Sequence, residues 1–273
     1  MIYIVPTPIG NLDDITIRGI KVLSKAKIIL CEDGKITSKL LKLLKIENRP
    51  KYINLVRNNK FNESSIRLGL NEVYGNKNLE NEPRQLCHLE RSERSCGVKF
   101  KTSVDLDTNL YNSIQIQNST DLETDDQVIA IVTDAGTPGI SDPAFEIIQI
   151  LQELKLDYTV LPGATAVIPA IVSSNLVSKE FIFLGFLPLK KGRQTVWNEI
   201  KIAKYPIVIY ESCHRIVKLI QEIQINLSSQ SQISISQEIS KKHENTWIGK
   251  VIDLKNYQVK GKGEFVVVIR NSA

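Results

Sequence analysis

Three times in this sequence a short apolar run passes directly into a loop built mostly of proline, glycine, threonine and alanine. Residues 2–6 lead into Pro6-Thr7-Pro8-Ile9-Gly10-Asn11. Residues 128–133 lead into Thr133-Asp134-Ala135-Gly136-Thr137-Pro138-Gly139-Ile140-Ser141-Asp142-Pro143, and residues 158–161 into Leu161-Pro162-Gly163-Ala164-Thr165-Ala166. Apolar runs without polar alternation suit strands buried on both faces of a parallel sheet. Glycine permits close backbone approach and unusual φ, proline stiffens the path, and together they hold N–H and C=O groups in fixed positions. Such loops at the carboxyl end of a parallel sheet are where nucleotide-like ligands bind. One of them alone reads as an ordinary turn; three alike point to one ligand site.

Between the loops the pattern alternates. Ile17, Ile20, Leu23 and Ala26 lie three apart and predict a helix over 14–26. A strand over 28–31, a helix over 37–44 and a strand over 52–56 follow. Asp142-Pro143 reads as an N-cap and first-turn proline for a helix carrying Phe145, Ile148, Leu151 and Leu154. From Gly163 a helix of small residues is predicted. Beyond 174–179 come strands over 181–186, 206–210, 232–238, 247–252 and 264–270, with helices over 195–202 and 214–226. The last of these strands are not separated by helices, which predicts a mixed or antiparallel sheet. Gly261-Lys262-Gly263 between the last two reads as a hairpin turn. The fold class is therefore α/β: two α/β domains, 1–175 and 176–273, with a ligand cleft between them.

One stretch stands apart. Residues 77–125 are polar, rich in Asn, Ser, Glu and Thr, and sustain neither helical nor strand periodicity. A segment of that make buries too little apolar surface to offset its ordering entropy, so it is expected to be a flexible insertion. Its run CHLERSERS resembles translated repetitive palindromic elements inserted into bacterial genes; a regulatory or RNA-contacting arm is the alternative. The whole chain carries 35 Lys/Arg against 30 Asp/Glu, a net of +5. Six of those basic and nine of those acidic residues fall within 77–125, so the remainder carries 29 against 21, a net of +8. That excess favours an anionic partner.

Several classes are excluded by what the sequence lacks. There is no G-x-x-x-x-G-K-[ST], no G-x-G-x-x-G after the first strand and no H-E-x-x-H. Cys31, Cys87, Cys96 and Cys213 form no C-x-x-C pair, so neither a structural metal site nor a disulfide framework is expected, and no metal is assigned. The apolar runs are far shorter than a membrane span, and Met1 is followed by no basic, leader-like segment; a cytoplasmic protein is expected.

Six segments carry a resemblance. YIVPTPIGNLDDITIRGIKVL, TDAGTPGISDP, LPGATA, FLGFLP, PIVIYESCHR and ISISQEISKKHE resemble the ribosomal RNA small subunit methyltransferase I family of the tetrapyrrole methylase superfamily. The resemblance implies S-adenosylmethionine bound between two α/β domains through loops unlike those of Rossmann folds, and a homodimer. It also implies 2′-O-methylation of a cytidine ribose in 16S rRNA, with the rRNA or the 30S subunit as partner; the alternatives are a tetrapyrrole- or protein-directed methylase of the same superfamily, or a catalytically weakened RNA-binding relative. By motif, Pro8, Gly136, Thr137, Pro138, Ile140, Thr165, Ala166, Tyr210 and Glu211 would contact the cofactor. Neutral Gly/Thr/Pro/Ala loops suit a sulfonium, which needs carbonyl oxygens and few neighbouring cations.

Transfer to a ribose hydroxyl calls for a positioned base or cation. Candidates are Glu32 and Asp33 after the second strand, Glu211, and the set Glu238, Lys241, Lys242 and His243. Lys35, Lys190, Lys191, Arg193, Arg215 and Lys241, with Lys39, are the candidate RNA contacts. His214-Arg215 is expected to open a helix as a cap or phosphate contact. The sequence departs from the family pattern at CEDGKIT, where Gly34-Lys35-Ile36 stand in place of Thr-Arg-His. Lys35 keeps a charge but not the bidentate fork of arginine. The family's histidine-rich stretch appears here as LVRNNKFNE, without histidine, and SDPAF, PGATA and YESCHR also depart from the usual forms.

Overall fold

The computed structural model describes residues 1–57, 60–74, 127–259 and 262–272. The chain divides into one unit of 1–75 with 127–273 and a second of 76–126. The predicted insertion, with His88, lies outside the described residues, as does Gly261.

Five strands of the first unit form a parallel sheet in the order β3-β2-β6-β1-β7: β1 (Ile2–Ile4), β2 (Ile28–Cys31), β3 (Lys51–Asn54), β6 (Ile129–Val132) and β7 (Tyr158–Val160). A two-stranded ribbon, β4 (Val56–Arg57) and β5 (Lys60–Phe61), sits apart from it. Every residue of β1, β2 and β6 is buried, as expected of central parallel strands covered on both faces. Ile2, Ile4, Leu30, Ile129 and Ile131 form one core with Ile66 and Leu70 of α3 (Glu63–Tyr74) and Ile147 and Leu151 of α4 (Ala144–Glu153). Two further helices, α1 (Ile17–Lys25) and α2 (Gly34–Leu43), precede these in the chain.

Helix faces differ from their sequence reading. α1 starts at Ile17, capped by the Thr16 hydroxyl, which accepts from the Gly19 amide, and it buries Gly19, Val22 and Leu23. Ile17 is exposed. A side-chain carbon on Gly19 would sit 3.3 Å from Val5, so the small residue, not a large one, sets the contact. α4 buries Ala144, Ile147, Ile150 and Leu151 and leaves Phe145 exposed. Its N-cap position is Pro143, which has no side-chain acceptor; the Asp142 carboxylate accepts from the Ala144 amide at 2.8 Å instead.

The second sheet, β11-β10-β12-β9-β8, is mixed: β8 (Ile182–Phe186) pairs parallel with β9 (Ile207–Ser212), while β10 (Gln232–Gln237), β11 (Asn245–Lys250) and β12 (Glu264–Arg270) add antiparallel strands. β10 lies between β11 and β12, so the hairpin predicted at Gly261-Lys262-Gly263 does not form; a 3-10 segment, Val251–Asn256, begins that connection instead. One face of this sheet packs α6 (Arg193–Lys201) and α7 (Ile216–Asn226) through Trp197, Ile200, Leu219 and Ile223. On the other face lies α5 (Val167–Ser174), whose Val167, Ala170 and Ile171 meet Val208, Val266 and Val268. By chain position α5 belongs to the predicted first domain; by packing it belongs to the second sheet. Among the described residues no helix is long and apolar enough to cross a membrane.

Candidate active site

The three loops converge. Thr7 and Gly136 exchange backbone hydrogen bonds, N to O at 2.9 Å and 3.0 Å, tying the first loop to the second. The Thr7 hydroxyl donates to the Thr133 carbonyl at 3.0 Å, and the Thr137 hydroxyl donates to the Ala164 carbonyl at 2.9 Å, tying the second loop to the third. Gly136 turns at φ +87°, and a side chain there would meet Ile9 and the Ala164 carbonyl. The Asp142 carboxylate accepts from the amides of Gly139, Ile140 and Ala144, which locks the loop's far end. The structure therefore brings together Pro8, Gly136, Thr137, Thr165 and Ala166. Pro138 is buried and Ile140 is exposed.

Tyr210 joins this cluster from β9. Its hydroxyl meets the Thr165 side chain and the backbone of Ala166 and Val167, and burial pushes its pKa up. Phe183 and Phe186 pack on its ring at 4.9 and 5.7 Å. Gly185, between them at φ +60°, lies so close to Ser141 that a side-chain carbon would stand 2.6 Å from its hydroxyl. Glu211, predicted beside Tyr210, points the other way, because successive strand residues alternate faces. Its side chain has no solvent exposure and pairs with Arg215 Nε at 2.7 Å. Its Oε2 is buried without a hydrogen-bond partner, as is the Thr133 hydroxyl oxygen. Glu211 is thus removed from the cofactor set.

No lysine or arginine occurs in 6–11, 133–143 or 161–166. A sulfonium cofactor fits such a lining: the loops offer carbonyls and hydroxyls, and none of their own side chains is a cation that would oppose its charge.

The candidate bases separate into two groups. Glu32 and Asp33 follow β2, next to Asp134 after β6. Asp134 Oδ1 accepts from the Asp33 amide at 3.2 Å, and Glu32 accepts from the Asp134 amide at 3.4 Å. Burial, then the neighbouring Asp134, pushes the Glu32 carboxyl above the usual carboxylate range; burial raises Asp134 too. Asp33 is the N-cap of α2, accepting from the Lys35 amide at 2.7 Å, which makes it structural. The buried thiol of Cys31 beneath them is pushed up to about 11, mainly by burial, and is inert as a nucleophile. Loop composition alone does not distinguish Asp134; its place beside Glu32 follows from the β2–β6 register, Cys31 opposite Val132.

Glu238 and Lys241 lie elsewhere, beside the first loop's far end: a side-chain carbon on Gly10 would meet Lys241, and the Ser240 hydroxyl donates to the Asp14 carboxylate. Glu238 and Ser240 both hold positive φ, 54° and 66°. Lys241 bridges Glu238 at 2.9 Å and Glu264 at 3.0 Å. Burial opposes the Glu238 charge, but Lys241 and the Glu264 amide outweigh it and hold this carboxyl below its ordinary value, the wrong direction for a base. Lys241 is occupied by these two partners, whereas Lys242 and His243 are exposed.

Among the predicted RNA contacts, Arg193 is corrected. It is 8% exposed, forks onto Glu222 at 2.5–3.0 Å and donates to the Pro188 carbonyl at 2.7 Å. Burial alone would raise the Glu222 carboxyl; Arg193 reverses this and lowers it. Arg215 is likewise engaged, with Glu211 and over the Phe186 ring at 5.5 Å. It is the N-cap residue of α7, and His214 before it is exposed. Lys35, Lys39, Lys190 and Lys191 are exposed.

The chain resembles known proteins along nearly its whole length. Residues 1–255 match the family model described as Tetrapyrrole (Corrin/Porphyrin) Methylases. Proteins named ribosomal RNA small subunit methyltransferase I from Coprothermobacter proteolyticus and Campylobacter fetus are 31% and 33% identical, covering 98% and 100% of this chain and 97% and 84% of theirs. Among solved structures, a uroporphyrin III C-methyl transferase from Thermus thermophilus is similar in fold at 12% identity, with a TM-score of 0.55 over 97% of this chain and 96% of that one. The methyltransferase CobJ is similar at 12% identity, with a TM-score of 0.57 over 100% and 94%. The chain belongs to the tetrapyrrole methylase family and, within it, to the ribosomal RNA small subunit methyltransferase I group.

Proposed function

We propose that this protein uses S-adenosylmethionine to methylate the 2′-oxygen of a cytidine ribose in 16S rRNA, acting in the cytoplasm on the rRNA or the 30S subunit. The observation that carries the reading is the lock of three cation-free loops onto one another with Tyr210 against the third. The names of the relatives at 31% and 33% identity supply the substrate class.

When bound, S-adenosylmethionine supplies an electrophilic methyl group on a positive sulfur whose leaving form is a neutral thioether. Carbonyls and hydroxyls of the loops around Gly136, Thr137 and Ala164 would hold it, with Pro8, Thr165, Ala166 and Tyr210 closing the sides. Orientation of the two reactants is the main contribution asked of the loops, on the order of 7–11 kcal/mol in favourable cases. Glu32 is the base this reading prefers: as the hydroxyl oxygen bonds to the methyl carbon, the released proton passes to its carboxylate. Its raised pKa brings its basicity toward the operating pH, and base catalysis of this kind contributes about 10²–10⁴-fold.

A homodimer is part of the proposal. Ile168 and Val172, one turn apart on α5, are 50% and 73% exposed, a stripe suited to burial against a second copy. The test of the whole reading is transfer of labelled methyl from S-adenosylmethionine to small subunits prepared from cells lacking the modification, beside a tetrapyrrole acceptor. Label is expected on the subunit RNA; label on the tetrapyrrole alone would overturn the assignment.

A further inference from the structure

Outside the loop cluster, one concavity stands out for its charge. An open depression of about 550 Å³ is lined by Asp33, Lys35, Lys39, Lys42, Tyr52 and Asn54, among others. The three lysines fall at i, i+4 and i+7 of α2, one stripe of the helix, and α2 contains no acidic residue. Among the described residues none of the three has a carboxylate partner. The one acid on the wall, Asp33, already caps the helix through the Lys35 amide at 2.7 Å. The Gly34 amide is likewise occupied, donating to Asn54 Oδ1 at 3.1 Å, so the exposed ammonium groups and not the helix terminus offer the positive charge.

The depression adjoins the reaction site: Asp33 on its wall donates its amide to Asp134 of the second loop. α2 packs closely on β3 here: a side-chain carbon on Gly34 would stand 3.1 Å from Asn54 Oδ1 and 3.3 Å from Tyr52 Cβ. From Lys35 to Lys42 the stripe runs about 10 Å along the helix, too long for a single phosphate and suited to a strand that runs along it.

We infer that this lysine stripe is the surface on which the substrate RNA strand rests, its phosphates on Lys35, Lys39 and Lys42, as it enters the site beside Glu32 and Asp134. The inference depends on the methyltransferase reading for its substrate but on α2 for its place. Phosphate contacts carry no sequence information and act through counterion release, so they leave a signature in salt dependence.

The experiment measures binding of a fluorescein-labelled 16S rRNA fragment by anisotropy across salt concentrations, for the full chain and for Lys39→Gln, Lys42→Gln and the double variant. Each substitution is expected to shallow the slope of log affinity against log salt by about 0.7–1, with the double variant near the sum. Calorimetric affinity for S-adenosylmethionine is expected to stay unchanged, because the stripe does not touch the loop cluster. With methylated subunits as readout, KM rises and kcat holds. A slope unchanged in the double variant overturns the inference whatever KM does. Failure of the underlying methyltransferase reading is a separate result, the absence of methyl transfer by the unsubstituted protein, which the anisotropy measurement does not require.

Discussion

The basic residues of α2 and three basic residues around the second sheet look alike in sequence and have opposite fates in the fold. Lys35, Lys39 and Lys42 stand along an exposed stripe with no carboxylate partner among the described residues. Arg193, Arg215 and Lys241 each close on carboxylates of their own chain: Glu222, Glu211, and Glu238 with Glu264. Acids within reach make the division: around the parallel sheet Lys51 pairs with Glu72 and Arg67 with Glu63 and Glu153, whereas α2 itself holds no acid. Around the mixed sheet, ion pairs stand at the start of α6, at the start of α7 and after β10, while Lys190, Lys191 and Lys242 are exposed. Positive charge is therefore a poor guide to RNA contact until its partners are known.

Substitutions can break this comparison at several strengths. The largest effect is expected in the loop cluster, where Thr137→Tyr replaces the hydroxyl that holds the Ala164 carbonyl and fills the space beside it. Cofactor binding should vanish up to millimolar concentration in calorimetry while the circular dichroism spectrum is retained; undiminished affinity would mean the loop is wrongly assigned. Next, Glu32→Gln should lower single-turnover methyl transfer about 100-fold or more with cofactor affinity intact. On the second sheet, Arg193→Ala should cost about 3 kcal/mol in urea unfolding, because it strands the Glu222 carboxylate, and should leave the salt slope of RNA binding unchanged. A reduced slope in that variant would blur the division between paired and free cations.

The smallest effect is a pH dependence. The folded state holds the Glu32 proton more tightly than the unfolded chain does, so the unsubstituted protein loses stability as pH rises through the window above about 4.5, the ordinary value. Glu32→Gln carries no such loss. Its unfolding free energy relative to the parent should therefore rise across that window and level off above it, and a flat difference would remove the raised carboxyl from the account.

Much of the scaffold could be read from residue order, and the reasons it could not be read further are physical. Strands over 28–31 and 264–270 have the bounds expected, because continuous apolar runs between polar neighbours leave little choice of register. Helix faces were misread at Ile17 and Phe145, where counting large apolar residues overlooked Gly19 and Ala144, the small residues that let α1 and α4 approach their sheet. The loop cluster was legible from composition. What stayed hidden were pairings set by tertiary structure: Arg193 with Glu222, 29 residues away, the alternation that turns Glu211 from Tyr210, and the adjacency of β2 and β6 that brings Asp134 to Glu32. A lysine-rich turn such as 190–193 reads as solvated in sequence; only a distant acid reveals that its arginine is internal.

The central claim is that the loop cluster delivers a methyl group to a ribose oxygen of small-subunit RNA. Its most direct test is nuclease digestion of 16S rRNA after transfer of labelled methyl, with the modified nucleoside identified by mass. The account predicts 2′-O-methylcytidine, formed by the parent protein and strongly reduced in Glu32→Gln. Label on a base nitrogen or carbon would contradict it.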